Sequence, residues 1–190
     1  MLKSFTTKQL IFIALMAGLL LAINFTLGIG IITVTGIPGS SAFVTGITNA
    51  IALGLTVLII RKIGSGGLLY LIYGLIALPT PMAGGPPGFI WKVIILALAG
   101  ITFDLFIHPL KYKTWGWVIG GFFASIVGLF GLLLVYYLLQ LPEFDKLAPV
   151  IIIMFVVWFV FGLIGFRIAN IIYKRIKDKR LIKQISSQNV

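Results

Sequence analysis

The feature that most constrains this chain is a succession of six long apolar stretches, separated by short polar or basic segments. The stretches cover about residues 9–34, 43–60, 68–83, 89–107, 115–139 and 148–173. An α-helix needs about 20 apolar residues to cross the hydrocarbon core of a bilayer. Each stretch is therefore interpreted as a membrane-spanning helix, of which the third is short.

Composition excludes a water-soluble domain. Hydrophobic residues make up 60% of the chain and charged residues only 10%, against about 45–50% and 25% in soluble globular domains. The sequence thus predicts an all-α integral membrane protein, multi-pass in the cell membrane, with a single transmembrane domain over residues 1–190. Without cysteine, the chain has no disulfide framework and no thiolate metal site.

The basic residues predict the orientation. In a six-helix arrangement, most of the 15 basic residues fall on one side of the membrane, namely Lys3, Lys8, Arg61, Lys62, Lys111, Lys113, Lys174, Arg175, Lys177, Lys179, Arg180 and Lys183. The opposite side has only Lys146, next to Glu143 and Asp145. Basic loops stay in the cytoplasm, so both termini, including the basic tail 174–190, are expected there. The net charge of +11 is then a topology signal and a contact surface for the lipid bilayer, not for nucleic acid.

The segment 79–92, PTPMAGGPPGFIWK, interrupts the apolar pattern. Its prolines and glycines oppose a regular helix, and a helix is expected to restart near Gly88 with Pro86 and Pro87 in its first positions. Free amides at that restart, with Lys92 one turn further on, would suit an anionic group. The segment is either one wall of a solute site or a tight outer loop whose Lys92 reaches to the interface.

Polar and aromatic residues collect in the half of the membrane opposite the basic loops. Buried amides need partners in lipid, so Asn24 and Asn49 should face protein or a cavity. Each could equally serve as a hydrogen-bonding link between helices. Polar groups combined with aromatic walls are typical of a solute pocket. The predicted pocket is formed by Asn24, Asn49, Trp91, Lys92, Tyr136 and Trp158.

Small residues recur every four positions in the first span, at Ala14, Gly18 and Ala22. This spacing places them on one helix stripe, against which another helix can pack closely. The partner helix could belong to this chain or to another subunit. Similar series in the fifth and sixth spans are expected to serve internal packing, namely Gly120, Ala124 and Gly128, and Gly162, Gly165 and Ala169.

Signs of enzymatic chemistry are sparse, and the chain is not predicted to be an enzyme or to hold a cofactor or metal. Asp104 and His108 could share a helix face, but a metal or acid–base site needs further ligands. An ion pair with Lys111 or Lys113 is the preferred interpretation. The sequence contains no nucleotide-binding loop, so energised transport requires another subunit.

Six spans in 190 residues, both termini inside and the Ala14-x-x-x-Gly18-x-x-x-Ala22 stripe resemble the substrate-binding S component of an energy-coupling factor (ECF) vitamin transporter. The stretch 78–88, LPTPMAGGPPG, is similar to the glycine-rich outer loops of such components, including biotin-binding ones. The resemblance implies a transmembrane partner subunit, two cytoplasmic ATPases and a micronutrient bound in the outer half. In that family the small-residue stripe contacts the transmembrane partner.

The expected function is therefore high-affinity binding of a vitamin or related micronutrient for an ABC-type importer. The alternative is a non-transporting assembly or structural subunit. A membrane enzyme is a third and less favoured interpretation. The sequence leaves the charge of the solute open, because Lys92 favours an anion whereas Glu143 and Asp145 favour a cation.

Overall fold

The computed structural model describes residues 5–35, 41–81, 85–141, 144–145, 148 and 151–186. These residues form helices and turns, without strands. The helices are α1 (Thr7–Thr35), α2 (Ala42–Ile60), α3 (Ser65–Ile76), α4 (Trp91–Ile107), α5 (Thr114–Leu138), α6 (Ile151–Ile176) and α7 (Arg180–Ser186). The all-helical class predicted from the sequence is confirmed for this part of the chain. Glu143 and Lys146 lie outside the described residues.

Three helices, α1, α5 and α6, are long and apolar enough to cross a membrane, as expected of a membrane protein. The others are shorter. The third stretch was expected to span the membrane over 68–83, but α3 has only 12 residues, or about 18 Å at 1.5 Å per residue. That expectation is wrong in its bounds, because the chain leaves the helix before Pro79 and Pro81, whose rings oppose helical geometry in the residues before them.

The first six helices pack in a closed ring. Going round it, α1 contacts α3, α3 contacts α4, α4 contacts α5, α5 contacts α6, and α6 contacts α2, which returns to α1. The second half of α2 is buried on every side from Ala52 to Ile60, so α2 is the most enclosed helix. An aromatic cluster of Phe103, Trp117 and Phe166 joins α4, α5 and α6, with ring centroids 5.0–5.7 Å apart.

Glycines allow the closest helix contacts. A Cβ on Gly100 of α4 would overlap the backbone of Gly66 in α3, and a Cβ on Gly67 would lie 2.5 Å from Ile101. On α6, a Cβ on Gly165 would lie 2.7 Å from the side chain of Ala50. These positions therefore require glycine, because a methyl group would push the paired helices apart.

Several basic segments meet at one end of the bundle, here called the basic end. The Lys62 ammonium donates to Gln9 Oε1 at 2.9 Å, and Gln9 Nε2 donates to the carbonyl of Ile185 at 3.1 Å. These bonds tie the start of α1 and the end of α2 to α7, whose Ile182 and Ile185 are buried. Arg61 Nη2 donates to the Tyr173 hydroxyl at 3.2 Å, and this bond links the end of α6 to the end of α2. The start of α1, the end of α2 and the C-terminal tail were predicted to share one side of the membrane, and they share one end of the fold.

Candidate functional site

A buried polar cluster joins α1, α2 and α3. The Asn24 amide nitrogen donates to Asn49 Oδ1 at 3.1 Å and to the Tyr73 hydroxyl at 3.0 Å. Asn24 Oδ1 accepts the Thr48 hydroxyl at 2.5 Å. Asn24 is fully buried, and these bonds use both donor hydrogens and the oxygen of its side chain. Two of the six predicted site residues are thus in direct contact, and Asn24 links helices.

Asn49 also borders a cavity inside the helix ring, between α2, α3, α4, α5 and α6. Its side walls include Trp158, a third predicted residue, which lies with Phe159 and Phe166 on α6. The remaining space is about 30 Å³, enough for one water molecule. Small-molecule sites commonly measure about 300–1,000 Å³, so a larger solute would need the cavity to open.

Lys92 lies elsewhere, in the first turn of α4, and is only 1% exposed. Its ammonium donates to the carbonyls of Thr80 at 2.7 Å and Pro86 at 3.3 Å. Its backbone amide donates to the carbonyl of Phe89 at 3.2 Å. The lysine therefore holds the loop that precedes α4, and its observed partners are carbonyl groups of that loop.

The helix restarts at Trp91 and not near Gly88, so Pro86 and Pro87 precede it instead of occupying its first positions. Gly88 adopts a left-handed conformation with φ of +81°, which suits glycine. Its amide donates to the carbonyl of Leu78 at 2.8 Å and closes the loop. The amides of Gly88 and Lys92 both donate to carbonyl groups of the loop. They are therefore not free to bind an anionic group, contrary to the expectation for this helix start.

The remaining two predicted residues accompany this loop. Tyr136 is buried, with its ring 5.4 Å from that of Phe89, and Trp91 is 41% exposed on the surface of α4. The structure thus divides the six predicted residues into two groups. Asn24, Asn49 and Trp158 belong to the polar cluster and cavity, whereas Trp91, Lys92 and Tyr136 belong to the loop and the start of α4.

The sequence reasoning missed Tyr70 and Tyr73 on α3. Tyr70 lines the cavity and Tyr73 bonds to Asn24. A signal was available, because residues three apart lie on one helix face, and both tyrosines are on the same side of a short apolar helix. Their rings are 6.5 Å apart.

The stripe of Ala14, Gly18 and Ala22 points away from the bundle. All three residues are exposed, and a Cβ on Gly18 would meet no atom within 4 Å. The neighbouring residues Ile13 and Ala17 are fully buried on the opposite face. The described part of the chain therefore packs no helix against the stripe.

Asp104 and His108 lie at the basic end, away from the cavity. Asp104 Oδ2 accepts the amides of Gly64 and Gly66 at 2.9 Å and of Gly67 at 3.3 Å, so the carboxylate caps the start of α3. His108 Nε2 is 3.9 Å from Asp104 Oδ1, beyond hydrogen-bonding distance. The preferred ion pair of Asp104 with Lys111 or Lys113 is not formed in the described residues. The amides at the start of α3 bond to Oδ2 of the carboxylate, and Oδ1 is buried without a hydrogen-bond partner among the described residues.

The ring of His108 contacts the Tyr112 hydroxyl, with Nδ1 2.9 Å from the oxygen. Burial lowers the pKa of His108 and raises the pKa of Tyr112 to about 12. Both side chains are therefore neutral near pH 7. Among the described residues, no group of three or more acidic, histidine or cysteine side chains could hold a metal.

Comparison with protein-family models, with curated proteins and with solved structures finds no match to this chain. The features of the chain that bear on its function are therefore the cavity, the exposed stripe and the sequence resemblance to S components.

Proposed function

We propose that this protein is the solute-binding membrane subunit of an ECF-type ABC importer for a vitamin or related micronutrient. A transmembrane partner subunit and two cytoplasmic ATPases would supply the energy. The observation that carries the proposal is the cavity between the helices of the ring, which is lined by Asn49, Tyr70 and the aromatic side chain of Trp158. Apolar walls with a few placed polar groups are typical of small-molecule sites.

The proposal includes a topology of six spans in the plasma membrane, with both termini cytoplasmic. It is supported by the meeting of the basic segments at one end of the fold and by the positive-inside rule. The chain has no native cysteine, so single cysteines can report sidedness. Asp145→Cys should react with a membrane-impermeant maleimide in intact cells, and Lys177→Cys only after permeabilisation. The reverse pattern would reject the orientation.

The stripe of Ala14, Gly18 and Ala22 is the proposed contact for the transmembrane partner. Its exposure and the open space at Gly18 support this role over packing within the chain. In lipid, close helix association depends on small side chains. Gly18→Leu should block complex formation without destabilising the isolated subunit, because Gly18 is exposed and a Cβ added there would meet no atom within 4 Å.

The matched control is Ala17→Leu, at a fully buried neighbouring position. Overpacking there should lower thermal stability by about 1–3 kcal/mol. Both variants would be purified after co-expression with the candidate partner subunits. A complex that forms normally with Gly18→Leu would exclude the stripe as the docking surface. Equal loss of stability in both variants would instead indicate that the stripe packs internally.

Solute binding is tested by mass spectrometry of small molecules that co-purify with the wild-type protein. A single enriched compound, displaced by adding it in excess, would support the importer subunit. The alternative, a non-transporting assembly subunit, is favoured by the small size of the cavity, about 30 Å³. Absence of any captured compound, together with stable assembly into a complex without ATPases, would establish that alternative.

A further inference from the structure

The cavity has a chemical character that restricts its ligand. Thirteen described residues line it, and none of them carries a charge. Its polar side chains are Asn49, Tyr70 and Ser125, and its aromatic walls also include Trp158, Phe159 and Phe166. An ion placed there would lose its hydration without a compensating charge, which is costly in a low-dielectric interior. The lining therefore favours an uncharged ligand.

The hydrogen bonds of the polar cluster show which groups of Asn49 already have a partner. Its oxygen accepts from Asn24, whereas the described residues offer its amide nitrogen no acceptor, so the nitrogen is left for a ligand. The hydroxyl of Tyr70 likewise forms no hydrogen bond within the described part of the chain. Ser125, in contrast, donates to the carbonyl of Gly121 at 2.7 Å. Asn49 and Tyr70 thus provide two donors at one site.

Trp158, one of the residues that line the cavity, lies close to the backbone of two neighbouring helices. Its indole lies between two glycines, since a Cβ on Gly46 would be 2.8 Å from Trp158 Cδ1 and a Cβ on Gly128 would be 3.2 Å from Cζ3. The ring thereby extends from α6 towards both α2 and α5. A flat ligand could stack on the indole if the side chain moved, since aromatic rings favour offset-stacked contacts.

We propose that this cavity binds an uncharged, planar ring compound that carries a hydrogen-bond acceptor. The ring stacks on Trp158, and the acceptor receives hydrogen bonds from the Asn49 amide and the Tyr70 hydroxyl. This inference rests on the proposed solute-binding function and narrows its substrate class. It places recognition of the solute at the cavity and away from Lys92, whose ammonium is bonded to loop carbonyls.

The test uses three probes of matched shape and different charge: nicotinamide, nicotinate and 1-methylnicotinamide. Binding to the purified full-length protein would be measured by saturation-transfer NMR and by competition. Nicotinamide should bind at least tenfold more tightly than either charged probe. Tighter binding of nicotinate or 1-methylnicotinamide, or no binding of nicotinamide, would overturn the inference.

Gly162→Val provides the blocking variant. Gly162 lines the cavity, and a Cβ added there would meet no atom within 4 Å, so the substitution adds side-chain volume at the cavity from a Cβ that fits without a clash. Binding of nicotinamide should fall at least tenfold while the unfolding temperature is kept. Gly30→Val is the control, because Gly30 is an equally open helical glycine on the exposed side of α1. Equal binding by the Gly162 variant would reject the site.

Failure of this inference and failure of the solute-binding function give different results. If wild-type protein captures a charged compound from cells, the protein binds a solute but the assigned class is wrong. If no compound is captured and none of the three probes binds, both proposals are rejected.

Discussion

Replacing Asp104 with alanine should destabilise the basic end of the bundle. Helix α3 begins without a side-chain cap of its own, because its N-cap residue is Gly64. The first amides of a helix have no partner within the helix. Here Asp104, from α4, accepts three of them with a single oxygen and is fully buried. The carboxylate also lies at the positive end of the α3 dipole.

The magnitude follows from these contacts. Loss of an N-cap commonly costs about 0.5–2 kcal/mol, and each buried donor left without an acceptor costs about 1–3 kcal/mol. The contributions are not additive, because water entering the space left by Asp104→Ala can accept from one or two amides. We therefore expect a loss of about 3–4 kcal/mol. Asp104→Asn keeps an acceptor oxygen but loses the charge, and should cost about 1–2 kcal/mol.

The measurement is thermal unfolding of the purified protein in one detergent, followed by tryptophan fluorescence. For a chain of this size, 1 kcal/mol corresponds to about 2–4 °C, so Asp104→Ala should lower the midpoint by about 6–16 °C. The control is Asp178→Ala, since Asp178 is 74% exposed and paired with Lys183. Exposed pairs contribute little, so the control should melt like the wild type. An unchanged midpoint for Asp104→Ala would refute the capping role.

Two further stability predictions use the same assay. Lys92→Met removes the ammonium that holds two loop carbonyls, and should cost about 1–2 kcal/mol, because hydrogen bonds to charged groups are the stronger ones; an unchanged midpoint would exclude this role. Gly100→Ala forces a methyl group into the backbone of α3 and should cost about 1–3 kcal/mol. Gly131→Ala, where the new methyl makes only ordinary contacts at 3.5 Å, should be neutral or slightly stabilising; equal effects would argue against backbone contact as the cause.

The all-helical class and the gathering of basic segments could be predicted because they depend on local composition. Apolar length predicts helices in lipid, and the positions of Arg61, Lys62 and the tail follow from the order of the spans. The bounds of α3 were harder to predict. Its start is stabilised by Asp104, which is 40 residues from Gly64 in sequence, and no periodicity within α3 reveals a cap supplied by another helix.

The role of Lys92 could not be predicted for a different reason. The sequence shows a lone cation near a helix start, and an anionic ligand is a sound expectation for that arrangement. Whether the Lys92 ammonium bonds to a ligand or to the loop depends on the direction of the carbonyls of Thr80 and Pro86. That direction is determined by turn geometry, including the left-handed Gly88, which the proline- and glycine-rich composition leaves open.

Polar residues inside a membrane bundle first have to satisfy one another, because no water is present to do so. Residue type alone therefore overestimates the number of ligand contacts. Asn24 was predicted to bind solute, yet Asn49, Tyr73 and Thr48 use its whole side chain. The capacity that remains after internal bonding, at residues that line a cavity, is the better guide to a site. At this cavity, that capacity lies on the Asn49 amide nitrogen and the Tyr70 hydroxyl.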